Sequence, residues 1–188
     1  MSFEQAKHFV ATKLQVADNG NLVFNSSDNQ TQAFHGFYGA FSDYTNQTIV
    51  STTTAYVIAI GQTDEAAGVS RSSSGRLSVS HDGVYNFQWS GQFENSGTAD
   101  GDAYIWLRKN GTDLVGSTGL VNVPSKHGSI HGHTLAGWNF VLSLAAGDYL
   151  ELWWSAEATS VSIATYAVGT TPTRPSTASI VATLTQVR

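Results

Sequence analysis

The chain has no cysteine, so it can form no disulfide and do no thiol chemistry. Such a chain can fold in a reducing cytoplasm. Charge is scarce: Asp, Glu, Lys and Arg make up 12% of the 188 residues, about half the usual ~25%. The net charge is −5 with a pI near 5.5 and no basic patch, so nucleic acid is not an expected partner. No stretch approaches the ~18 uninterrupted apolar residues of a membrane-spanning helix, and no membrane partner is expected. The opening "MSFEQAKHFV" lacks the basic start and apolar core of a secretion signal. There is no Gly-x-Ser-x-Gly elbow, no phosphate-cradling Gly-rich loop and no His-Glu-x-x-His. Catalysis is therefore the weakest reading, and no cofactor is expected.

Thr, Ser, Asn and Gln stand in place of charge, with 18 Gly and 3 Pro. Helical periodicity is weak, whereas period two is strong. "VYNFQWSGQF" alternates Tyr85, Phe87, Trp89 and Phe93 with Asn86, Gln88, Ser90 and Gln92. "AYIWLRKNGTDLV" reads as two strands around an Asn110-Gly111 turn, a strong hairpin signal. "WNFVLSLAAGDYLELWW" gives a strand with Trp138, Phe140, Leu142 and Leu144 on its core side, a Gly147-Asp148 turn, and a further strand. In that further strand, alternation sends Leu150, Leu152, Trp154 and Ala156 to the core and Tyr149, Glu151, Trp153 and Ser155 to the other face. "HGFYGAFSDY", "AYVIAIGQ", "GRLSVSHDG" and the closing "SIVATLTQVR" complete about eight core strands. The expected fold is all-β, an antiparallel β-sandwich or jelly roll.

Residues 1–33 differ from residues 34–188. "KLQVADNGNLVF" reads as a hairpin, with Leu14 and Val16 facing Leu22 and Phe24, and "NSSDNQTQ" reads as a joint. "FEQAKHFV" is compatible with a short helix or a strand. A lone hairpin is marginal in water, so this arm needs something to dock on. The sequons at Asn25, Asn46 and Asn110 read as turn chemistry.

Three groups invite a chemical reading. Asp100 and Asp102 are oxygen ligands suited to calcium, but a plain turn explains them more simply. His131-Gly132-His133 places two imidazoles on one side of an extended segment. Three such pairs around an axis would offer an octahedral nitrogen set; a Gly-His surface loop is the simpler reading. Arg108 and Lys109 read as a solvated hairpin tip.

The order of "HDGVYNFQWSGQF", "WLRKNGTDLV", "FVLSLAAGDYLELWW" and a terminal apolar strand resembles the tumour-necrosis-factor-like jelly roll, the fold of complement-type globular heads. "IWLRKNGTDL" and "PTRPSTASIVATLTQV" look like C-terminal domains of tailed-phage virion proteins. The resemblance covers residues 34–188. It implies a homotrimer, with the sheet that holds the first and last strands packed around a threefold axis. The amide-rich Asn86, Gln88, Ser90 and Gln92, with Leu135, Gly137, Asn139, Val141 and Ser143, would then face a sister subunit, as charge-poor faces suit interfaces. From residue types alone, a solvated polar face is equally open. The resemblance also implies a virion component made in the host cytoplasm. It would decorate or cement a capsid and hold the major capsid protein or another virion protein through its arm residues Phe3, Phe9, Val10, Leu14, Val16, Leu22 and Phe24. The alternative is a fibre knob that binds a host glycan or receptor. No shaft-forming repeat fits in 33 residues, which favours the decoration reading.

Overall fold

A computed structural model describes residues 22–23, 29–30 and 36–188. The chain divides into two compact units, 1–35 and 36–188. In the first, Leu22–Val23 pairs antiparallel with Asn29–Gln30, Leu22 opposite Gln30. That pairing crosses the polar run expected to be a joint. Phe3, Phe9, Val10, Leu14, Val16 and Phe24, and the undecided "FEQAKHFV", lie outside the described residues.

In the second unit, eleven strands have three or more residues. They are β1 (Tyr38–Asp43), β2 (Gln62–Ala67), β3 (Val69–Arg71), β4 (Leu77–Val79), β5 (Gly83–Asn95) and β6 (Gly101–Lys109). The rest are β7 (Gly119–Val123), β8 (Gly132–Leu144), β9 (Tyr149–Ala156), β10 (Val161–Ile163) and β11 (Ile180–Gln186). No helix occurs among the described residues. One seven-stranded sheet runs β2–β1–β11–β5, with β8 on the other edge of β5, β10 beside the end of β5, and Gln47–Thr48 beyond β10. The other runs β3–β4–β9–β6, with β7 and Thr112–Asp113 on the free edge of β6 and Tyr56–Val57 against β9. Every pairing between these strands is antiparallel.

Alternation builds the core. Tyr85, Phe87, Trp89 and Phe93 of β5, Ile105 and Leu107 of β6, Leu150, Leu152 and Trp154 of β9, and Leu184 of β11 form one buried cluster. Phe93 meets Trp154 edge-on across the two sheets, ring centroids 6.3 Å apart. Two sheets sharing one core are consistent with a β-sandwich. The Asn110-Gly111 turn has φ of 51° and 80°, the left-handed pair of a type I′ hairpin. Its return ladder stops after Thr112–Asp113, and β7 then takes up the pairing with β6 from Ile105 to Gly101.

Two sequence expectations need correction. Within "AYVIAIGQ" only Tyr56–Val57 and the last residue, Gln62, which opens β2, are strand; Ile58 and Ile60 are buried but irregular. The regular element is the following β2, whose residues are all exposed, so no apolar alternation marked it. Trp138 is not core: it is 45% exposed. It shares the inward side with Trp89, its cross-strand partner, but β8 is an edge strand and, among the described residues, no strand pairs with its far side.

Candidate functional site

The outer side of the β8–β5–β11 region gathers the residues that the sequence placed at an interface. Asn86 stands between Val141 and Thr185, Gln88 between Asn139 and Thr183, and Ser90 between Gly137 and Val181; Gln92 lies opposite Leu135. No charged side chain enters these rows. Leu135, Val141 and Val181 are exposed on them, the first two by 65% and 63%. Asn86 Oδ1 is buried yet has no hydrogen-bond partner. A buried amide oxygen left unpaired costs free energy.

Around the edge lies an open groove of about 330 Å³ between β7 and β8, lined by Trp89, Ile105, Leu120, Ala136 and Trp138. Leu120 is 60% exposed at its rim. Gly119 lets β7 pass close to the Trp138 ring: a Cβ there would stand 3.1 Å from it. The groove and the uncharged face are different surfaces, and sequence reading found only the second.

At the end of the same sheet, a polar cluster ties three segments together. Glu94 of β5 lies opposite His133 of β8. Its Oε1 is 2.8 Å from His131 Nδ1, and its Oε2 accepts from the Tyr166 hydroxyl at 2.8 Å. The same hydroxyl oxygen is 2.9 Å from His133 Nδ1, and the two rings meet edge-on. Burial pushes the Glu94 carboxyl up, but the Tyr166 and His131 hydrogen bonds and the nearby imidazoles outweigh it and hold the group below its ordinary range. Burial, then the Glu94 hydrogen bond and charge, push Tyr166 up. Tyr166 belongs to the excursion between β10 and β11, anchored through a bridge to Thr177. Gly132 is set by close approach rather than loop freedom: a Cβ there would lie 1.7 Å from the Pro124 carbonyl oxygen. "HGH" was legible in the sequence; Glu94 and Tyr166 were not, because the fold alone brings them there.

The outer side of β6 and β9 answers for the paired tryptophans. Trp154 is buried. Trp153 is half-buried beside its cross-strand neighbour Trp106, under the Arg108 guanidinium 3.7 Å from the ring centroid. Arg108 also pairs with Asp113, which accepts from Trp106 Nε1 at 2.8 Å. Lys109 pairs with Asp148 at 2.8 Å and donates to the Ser143 carbonyl. Arg108 and Lys109 are therefore engaged side chains, not a solvated tip, because the twist of the hairpin lays them over β9 and its preceding turn. Lys109, then Asn110 and the Ala145 N–H, hold the Asp148 carboxyl down to about 2. Asp100 accepts from the Ser125 N–H and Asp102 from the Asn122 amide, so both acids tie loop and strand.

Among the described residues no group of three or more His, Cys, Asp or Glu is placed to hold a metal ion. Comparison with protein-family models and with curated proteins returns no match.

Proposed function

We propose that this protein is a structural component of a tailed-phage virion, a homotrimeric jelly-roll knob that decorates or cements the capsid and attaches through its N-terminal arm. The observation that carries the assembly half of this reading is the uncharged β8–β5–β11 face, with outward Leu135 and Val141. A neighbouring copy would cover the exposed apolar groups. The groove at Trp138 and the uncharged face are unlike surfaces, so a contact between them is heterologous, and it closes into a ring only if its rotation closes. The neighbourhood of β1 and β11 in the sheet that carries this face supports the family resemblance. The virion assignment rests on that resemblance and on the sequence's "IWLRKNGTDL" and "PTRPSTASIVATLTQV".

The test has two stages. Light scattering at micromolar concentration should give three chains of 20.1 kDa each; a monomer would sink the assembly half. Electron microscopy of intact particles should then place the knob on the capsid surface. The second reading, a glycan-binding fibre knob, is favoured by the exposed Trp138 beside an open groove, since sugar rings stack on aromatic faces. Density at the tail tip, with Trp138 still solvent-facing in the assembly, would select it.

A further inference from the structure

We propose that His131 and His133 form a two-imidazole half-site for a divalent first-row transition ion such as Zn²⁺ or Ni²⁺, with Glu94 and Tyr166 as the residues that orient the two rings. The hydrogen-bond network dictates the tautomers. An ionised carboxylate only accepts, so His131 Nδ1, at 2.8 Å from Glu94 Oε1, carries a proton. Tyr166 spends its hydroxyl proton on Glu94 Oε2. His133 Nδ1, 2.9 Å from the Tyr166 oxygen, must then be the donor to it. In the neutral form each ring then carries its lone pair on Nε2, and neither Nε2 has a partner among the described residues. A ring whose Nδ1–H is held by a carboxylate, directly or through one hydroxyl, is the arrangement that fixes tautomer and orientation in histidine metal ligands.

One carboxylate also ties down both rings. Both His131 and His133 reach the same carboxylate, at 2.8 and 3.9 Å. Their side chains remain 42% and 48% exposed while Glu94 is 19% exposed: the orienting group is covered and the donor groups are open. Gly132, locked against Pro124, fixes the backbone between them. The chain supplies two nitrogens, and water supplies the rest. Imidazole donors select zinc, nickel and copper over the hard cations, so Ca²⁺ and Mg²⁺ should not bind here.

Calorimetric titration of the full chain with ZnCl₂ and with NiCl₂ tests this, alongside NMR of the histidine Nε2 resonances. One ion per chain is expected, with the Nε2 signals of His131 and His133 shifting. His131→Ala and His133→Ala should each weaken binding at least tenfold. Glu94→Gln should weaken it about tenfold although it removes no ligand. Because Glu94→Gln also loosens the excursion, Tyr166→Phe serves as the second orienting variant, with melting curves recorded without metal. It should likewise weaken binding about tenfold. The proposal is overturned if wild type binds no tighter than the His131→Ala, His133→Ala double variant. It is equally overturned if single histidine variants leave affinity unchanged. Full affinity in a folded Tyr166→Phe protein would remove the orienting role.

Discussion

Adjacent Trp153 and Trp154 differ by one step along a strand and by everything in their surroundings. Trp154 fills the space between the sheets. Trp153 lies outside, sandwiched by Arg108 and flanked by Trp106. Trp154→Ala should cost about 3–5 kcal/mol, the usual range for deleting a buried aromatic. Trp153→Ala should cost about 1–2 kcal/mol, from partial burial and one cation–π contact. Denaturant melts of both variants check this; equal losses would mean that Trp153 is covered in the assembled protein. Asp148 gives a pH signature. Its folded value of about 2 lies below the ~3.9 of an unfolded aspartate. Its stabilisation is therefore present above pH ~4 and fades as pH falls toward 2. Melts from pH 5 to pH 2 should show wild type and Asp148→Asn converging, and a constant gap would count against the Lys109 pairing.

The strand β8 carries three of the exposed large apolar side chains, Leu135, Trp138 and Val141. Leu135→Lys with Val141→Lys should lower the assembly to a monomer in light scattering while leaving the subunit folded, since both positions are exposed in the single chain and surface changes are typically within about 0.5 kcal/mol. An unchanged assembly mass would move the interface elsewhere. The strands that read clearly from sequence are those with one wet and one dry side: β5, β6, β9 and β11 carry period-two patterns that local chemistry alone dictates. β2 escaped because all its residues are exposed and its strand form comes only from pairing with β1. Trp138 was placed in the core because its pattern is a core pattern; only the sheet order makes β8 an edge. The partners of His131 and His133 were hidden for a similar reason: Glu94 and Tyr166 lie 37 and 33 residues away along the chain.

Whole-molecule behaviour follows from two separate units, 1–35 and 36–188. Deleting residues 1–33 should leave a folded, trimeric knob that no longer binds particles in a co-sedimentation assay. Retained binding would put the anchor in the knob, and unfolding would make the first segment part of the knob's stability. The pairing of β1 with β11, Tyr38 opposite Thr185, has a consequence in time. The earliest strand of the knob waits for the last one to leave the ribosome. At roughly 5–20 residues per second, that wait is on the order of ten seconds. Throughout it, the sheet of β2, β1 and β5 lacks β11, the strand that joins β1 to β5, and that edge of β5 is unpaired. A nascent chain in this condition exposes an unpaired edge of β5, the kind of edge on which other chains can pair.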